Sequence, residues 1–115
     1  MSDTPFELSS ARVADALVVT IVGEIDMSTA PEVGRAVDGA DHDGAARVVV
    51  DLSEVTFLDS SALNAFVHCQ RALAEREIEL RIVSPSDRVV RNVFEITQLT
   101  GPLRVVESLD EALAR

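Results

Sequence analysis

The sequence predicts an α/β domain in which a mixed, mostly parallel sheet of four to five strands packs with about four helices. Short apolar segments of the strand type alternate with segments whose apolar residues recur at helical spacing. One strand-type segment, "RVVVDL" at 47–52, is a continuous run typical of a strand covered on both faces. With 115 residues, 47% of them hydrophobic, the chain suits one core and one domain, 1–115.

The first half of the chain predicts a hairpin, a helix and a central strand. Two extended segments meet at Ala14–Asp15, and the second condenses into the buried-strand pattern "ALVVTIVG". Apolar residues at helical intervals in 28–40 predict the first helix, and Thr29 with Glu32 has the spacing of a capping box. "RVVVDL" is then the central strand.

The second half predicts three helices and two strands. A helix over "SSALNAFVHCQRALAERE" precedes the strand "IELRIVS", and its predicted inward residues are Leu63, Phe66, Val67, Leu73 and Ala74. The next helix, in "SPSDRVVRNVFEITQL", has as its predicted inward residues Val89, Val90, Val93, Phe94 and Leu99. A short strand at "LRVV" and a final helix, opened by a capping box from Ser108 to Glu111, end the order.

Charge and composition exclude several functions. The net charge of -10 is spread along the chain and would repel a phosphate backbone, so no nucleic-acid partner is expected. All ten basic residues are arginine, and the absence of lysine excludes Schiff-base chemistry and a Walker-type phosphate site. We expect a cytoplasmic protein without a membrane span, because no apolar stretch approaches about 20 residues and the start lacks a signal-peptide pattern.

The segment "DSSAL" contains the candidate functional residues. It lies where a strand-derived loop enters the second predicted helix, so backbone N–H groups converge there. Asp59, Ser60 or Ser61 could cap this helix, a contribution of about 0.5–2 kcal/mol. A phosphoryl group on Ser60 or Ser61 could use the same N–H groups, and it would add roughly -1.5 to -2 charge beside Asp59.

Three segments together resemble a known family. "VVVDLSEVTFLDSSALNAFV" resembles the signature D-L-S-x-V-x-F-h-D-S-S-G-L, with h apolar, of the anti-sigma factor antagonists, which belong to the STAS domain family. "GEIDMSTAPEV" resembles that family's G-E-[LI]-D-x-x-[ST]-A motif, and "VVRNVFEITQLTGPLRVVESLDEALA" is similar to its C-terminal part. The resemblance covers nearly the whole chain.

The resemblance implies a phosphoswitch. Ser60 matches the serine that a partner phosphorylates, the partner being an anti-sigma factor serine kinase of the histidine-kinase-like ATPase type. The unphosphorylated antagonist binds the kinase and frees a sigma factor, the phosphorylated form lets go, and a phosphatase restores it. Asp59 matches an acidic neighbour in the interface. Asp26, Ser28 and Thr29 match a second stretch that approaches the partner.

One position departs from the family pattern. Ala62 replaces the glycine after the two serines and adds a methyl where a partner comes close, while it favours helix formation. Ser61 remains a second possible acceptor, although its place in the motif favours a capping role. Ser61 and Ala62 complete the predicted partner surface. No cofactor, metal or catalytic residue is expected, and we expect a monomer.

Other polar groups have plainer interpretations. Glu24 and Asp26 could form an acid pair or a metal site, but a partner-facing or capping role is favoured. His68 and Cys69 diverge by about 100° on a helix, so they are no nucleophile and base, and Cys69 is expected as core filler. "DHDG" at 41–44 could bind a divalent ion weakly, and a turn explains it as well.

Three other functions compete with that of an antagonist. A receiver domain would need a paired acidic cluster after the first strand and a lysine, and this chain has neither. A serine hydrolase would need a "GxSxG" elbow and a well-placed histidine. A STAS domain acting as scaffold or sensor subunit without a phosphoswitch stays open as the alternative.

Overall fold

The computed structural model describes residues 5–38 and 44–114, which form one five-stranded sheet with helices on both of its faces. The elements in chain order are β1 (Glu7–Val13), β2 (Ala16–Ile25), α1 (Ala30–Asp38), β3 (Arg47–Leu58), α2 (Ser60–Glu75), β4 (Glu79–Val83), α3 (Val89–Ile96), β5 (Val105–Val106) and α4 (Leu109–Leu113). The strands lie in sequence order, with β1 antiparallel to β2 and all other pairs parallel. The predicted fold class is confirmed.

The hairpin and the central pair of strands set the frame of the sheet. Ala14 turns the chain between β1 and β2 with a φ of 54°. Ala16 pairs with Arg47 at one end of β2 and β3, and Ile25 pairs with Leu58 at the other, with two shifts of register between them. These shifts interrupt the alternation of buried and exposed residues. The sequence pattern therefore predicted only residues 47–52 of β3, which continues to residue 58.

The main core lies between the sheet and helices α1, α2 and α3. Its largest side chains include Phe66 of α2 and Phe94 of α3, both fully buried, with ring centroids 6.5 Å apart. Burial of one such ring contributes about 1.5–3 kcal/mol. On the other face, Ala112 of α4 packs on Val18 and Val49 in a smaller cluster. Residues on alternate sides of β2, β3 and β4 thus pack against two helix layers.

The short helix α4 is fixed at both ends. Its predicted cap is confirmed, because the Glu111 amide donates to the Ser108 hydroxyl at 3.2 Å. At its other end, Arg47 donates to the Leu113 carbonyl at 3.1 Å and Arg81 donates to the Ala112 carbonyl at 2.8 Å. These cations meet the negative end of the helix. No helix within 5–38 and 44–114 is long and apolar enough to span a membrane.

Two predicted inward residues point to solvent. Val89 is the first residue of α3 and is 78% exposed. Ala74 is exposed near the end of α2. The other predicted inward residues of these two helices are buried or half-buried. The weak ion site predicted at 41–44 falls on residues of which 41–43 lie outside the described part of the chain.

Phe66→Ala should lower the free energy of unfolding by about 3–5 kcal/mol, because the ring is fully buried and leaves a cavity. Val89→Ala is the matched control and should change it by less than about 0.5 kcal/mol. Urea unfolding followed by far-ultraviolet circular dichroism measures both, since the chain has no Trp or Tyr. Equal losses in the two variants would contradict the burial of these helices.

Candidate functional site

The candidate site lies where β2 and β3 end side by side. Ile25 pairs with Leu58, and the Asp59 amide donates to the Ile25 carbonyl at 3.3 Å. The loop from Asp26 to Thr29 and the start of α2 therefore leave the sheet as neighbours. The carboxyl edge of parallel strands is the common place for binding sites in α/β sheets.

Asp59 is the cap of α2. Its backbone is extended, with φ -120° and ψ -169°, and its Oδ1 accepts from the Ser61 amide at 2.9 Å and the Ala62 amide at 3.4 Å. Of the three candidate caps in the sequence, the aspartate therefore fills the role. The capping role predicted for Ser61 is wrong, because its amide is a donor to the cap.

Ser60 is the first residue of α2, and its side chain is exposed. Across residues 5–38 and 44–114, no protein group is hydrogen-bonded to the Ser60 hydroxyl. The amides of Ser61 and Ala62, which a phosphoryl group could have used, already donate to Asp59. A phosphoryl group on Ser60 would therefore compete with a carboxylate that occupies its nearest donors.

The Asp26 turn is held by its own carboxylate. Asp26 Oδ1 accepts from the Ser28 hydroxyl at 2.6 Å, the Ser28 amide at 2.9 Å and the Thr29 amide at 3.2 Å. The hydroxyl of Ser28, followed by its amide, holds the pKa of Asp26 below its ordinary value of 3.8. The turn thus presents a fixed negative charge beside α2.

The Thr29 hydroxyl forms its hydrogen bonds with the end of β2 and the Asp26 turn, and not with the amides of α1. It accepts from the Asp26 amide at 3.0 Å and donates to the Glu24 carbonyl at 3.2 Å. The capping box predicted for Thr29 and Glu32 is therefore wrong. The Asp26 carboxylate accepts from the Ser28 and Thr29 amides, just before α1 begins.

Ala62 does not belong to the surface. It is 0% exposed, and its methyl group lies in the main core beneath the first turn of α2. The partner-facing role predicted for Ala62 is therefore wrong. The remaining predicted surface residues, Asp26, Ser28, Thr29, Asp59, Ser60 and Ser61, lie together in the two neighbouring loops and the first turn of α2.

Two features of this edge were not found in the sequence. Met27, in the turn before α1, is 78% exposed, and Phe57, just before the cap, is 48% exposed. A groove of about 590 Å³ also runs between α1 and α2. We call it the α1–α2 groove; the residues that line it include Met27, Ala30, Gly34, Ser61, Ala65 and His68. The sequence features that could have indicated them are Met27, which lies among polar residues, and Gly34, which lies inside a predicted helix.

The remaining titratable candidates form no second site. Cys69 is 1% exposed in the core, and burial, followed by the charge of Asp38, raises its pKa to about 11. Its predicted role as core filler is confirmed. In the described ranges, no three His, Cys, Asp or Glu side chains lie close enough to hold a metal ion. The Asp26 carboxylate, for which an acid pair with Glu24 was the less favoured interpretation, accepts hydrogen bonds within its own turn.

Fold and site define a small α/β domain with one polar edge, and comparison with known proteins identifies its family. The family model described as the STAS domain matches residues 8–112, and the chain belongs to the STAS domain family. Within it, the chain is similar to anti-sigma factor antagonists. It is 36% identical over 92 residues to the anti-sigma-B factor antagonist of Staphylococcus aureus (strain NCTC 8325 / PS 47), covering 80% of this chain and 84% of that protein. The resemblance predicted from the sequence is confirmed.

Solved structures agree with this assignment. The crystal structure of an anti-sigma factor antagonist from Mycobacterium paratuberculosis matches with a TM-score of 0.83 and 28% identity, over 95% of this chain and 92% of that one. The Bacillus cell fate determinant SpoIIAA, in its phosphorylated form, matches with a TM-score of 0.63 and 22% identity, over 94% and 95% of the two chains. At that identity the second match supports the fold alone.

Asp59→Ala should lower the free energy of unfolding by about 0.5–2 kcal/mol, because the Ser61 and Ala62 amides lose their acceptor. Ser61→Ala should change it by less than about 0.5 kcal/mol, and Asp59→Asn, which can still cap, should keep most of the stability. Urea unfolding compares the three variants. A larger loss for Ser61→Ala than for Asp59→Ala would contradict the cap assignment.

Cys69 should react slowly with iodoacetamide at neutral pH in the folded protein. A pKa raised from 9.0 to about 11 reduces the thiolate fraction by roughly a hundredfold, and burial blocks access as well. Mass spectrometry of the labelled protein gives the rate, with the same chain in urea as the fast control and Cys69→Ser as the blank. Equal rates in the folded and unfolded chains would contradict the burial of this thiol.

Proposed function

We propose that the protein is an anti-sigma factor antagonist controlled by phosphorylation at Ser60. Unphosphorylated, it binds an anti-sigma factor serine kinase of the ATPase type and thereby releases a sigma factor. Phosphorylated, it leaves the kinase, and a phosphatase returns it to the binding form. The observation that carries the proposal is the exposed Ser60 hydroxyl, which no protein group within the described residues bonds, beside a cap that Asp59 already provides.

The first support is that modification of Ser60 would cost the fold little. A kinase needs an acceptor hydroxyl that it can reach and that forms no bond essential to the fold. Ser60 meets both conditions, whereas the cap bonds belong to Asp59. Both forms of the protein would therefore stay folded, and the switch would act at the interface. The similar Bacillus fold is known in a phosphorylated form, which is consistent with this view.

The second support is electrostatic. A phosphoryl group would bring about -1.5 to -2 charge to an edge that already holds the carboxylates of Asp59 and Asp26. The nearest amides are engaged by Asp59, so the new dianion would depend on water for its hydrogen bonds. A partner that buries Ser60 would have to remove that water. Leaving such a charge buried without a partner costs about 2–5 kcal/mol, enough to release a complex.

The rest of the proposal follows from the same surface. The turn formed by Asp26, Ser28 and Thr29 adjoins Ser60 and would form the second part of the interface, with Ser61 beside it. Partner binding and acceptance of a phosphoryl group need no catalytic group or cofactor from this chain. The acidic charge of -10 is unsuited to nucleic acid. We further propose that residues 1–115 act as one cytoplasmic domain, as a monomer.

Ser60→Ala should keep binding the kinase, and Ser60→Glu should bind at least about 30-fold more weakly, which corresponds to about 2 kcal/mol. The measurement is affinity capture from native cell extract with added nucleotide, followed by titration of the captured kinase once purified. Ser61→Ala serves as the matched control, because it removes the neighbouring hydroxyl and should still be phosphorylated. Mass spectrometry should locate the phosphoryl group on Ser60.

Two results would count against the proposal. If Ser60→Glu bound the kinase as tightly as the parent, the switch at Ser60 would be wrong. If neither the parent nor Ser60→Ala captured an ATPase-type kinase, and both captured other STAS proteins, a scaffold or sensor role would replace it.

A further inference from the structure

We propose that the kinase partner docks an apolar segment in the α1–α2 groove, and that Gly34 keeps this groove open for it. This inference rests on the proposed function, because it takes the occupant to be the kinase that reaches Ser60. It adds a binding site that is separate from the phosphoryl acceptor. The site would contribute affinity and partner choice, whereas Ser60 would contribute the switch.

The groove lies close enough to Ser60 for one partner to cover both. Ser61, the residue after the acceptor, lines the groove, and so does Met27 in the adjoining turn. His68, farther along, lies about 12 Å from Ser60 along α2 at the helical rise. A standard interface buries about 800 Å² on each partner, a disc about 16 Å in radius. A kinase centred on Ser60 would therefore cover the groove.

The lining of the groove suits an apolar segment. Ala30, Ala65 and the side chain of Met27 provide apolar surface, and Met27 is 78% exposed at its mouth. Methionine adapts its shape to different partners, so this exposed side chain suits contact with an apolar segment. In a domain with a net charge of -10, this groove offers apolar contact directly beside the polar edge.

Gly34 is an unusual residue for the interior of a helix. It lies inside α1, where glycine is among the poorest helix formers. It does not have a positive φ, and a Cβ built on it meets nothing within 4 Å. The fold therefore has no steric need for glycine at this position. Any side chain here would project into open space at the lining of the groove, so the glycine leaves room for a partner.

The test compares variants inside the groove with a variant outside it. Gly34→Leu should weaken binding to the purified kinase at least about tenfold in calorimetric titration. Ala74→Leu is the matched control, because it also introduces a leucine, but on the exposed surface of α2 outside the groove, and it should bind like the parent. Met27→Ser should also weaken binding. Its side chain is mostly exposed, so this variant tests the groove even if Gly34→Leu folds poorly.

Folding and phosphorylation separate the groove from the switch. Gly34→Ala should unfold at the same or a higher temperature than the parent, because alanine favours the helix and meets no neighbour. At saturating kinase, Gly34→Leu should still be phosphorylated on Ser60. In hydrogen exchange, kinase binding should protect the amides of Ala30–Asp38 as well as the first turn of α2.

Each contrary outcome has a distinct meaning. If Gly34→Leu and Met27→Ser bound the kinase as tightly as the parent while Ser60→Glu did not, the groove inference would be wrong and the proposed function would stand. If the parent bound no kinase, both would fail. If the parent formed a dimer that Gly34→Leu abolished, the occupant would be a second copy of this chain and the inference would be overturned.

Discussion

The parallel pairing of β2 with β3 is the interaction on which the candidate site depends. The strands run together until Ile25 pairs with Leu58, and the Asp59 amide then bonds to the Ile25 carbonyl at 3.3 Å. Two loops consequently begin next to each other, one held by Asp26 and the other by Asp59. A slip of one residue between these strands would turn the buried residues of one strand to the wrong face. The same apolar contacts that select the register therefore fix the site.

Three adjacent polar residues at the start of α2 have different physical tasks. Asp59 supplies the acceptor that the first helical amides need, so Ser60 is left exposed and Ser61 lies half-buried beside the groove. The carboxylate that stabilises the helix is also the charge that a phosphoryl group on Ser60 would meet. Helix stability and the proposed switch thus depend on the same group. On the proposed switch, the charge of Asp59 would add a repulsion that a neutral cap would lack.

The sequence predicted what local patterns determine. Alternating periodicities located the strands and helices, and the polar residues Asp59, Ser60 and Ser61 were found because they precede a predicted helix. Thr29, Ala62 and Val89 were misassigned, because capping and burial at the start of a helix depend on contacts with the rest of the fold. The capping-box spacing at Thr29 is a property of the sequence alone. The hydrogen bond from the Thr29 hydroxyl to the Glu24 carbonyl instead depends on where β2 ends. The groove lies between two helices, so no single segment could predict it.

The groove and the acidic edge differ in how their contributions respond to phosphorylation. Apolar contact in the α1–α2 groove does not change when a charge is added at Ser60, whereas the electrostatic contribution at the edge does. On our proposals, the groove would set how tightly the kinase binds. The edge would set the ratio between the affinities of the unphosphorylated and phosphorylated forms. Charge alone discriminates poorly among partners, since it acts at long range and weakens with salt. A shaped apolar groove adds the steric requirement that specificity needs.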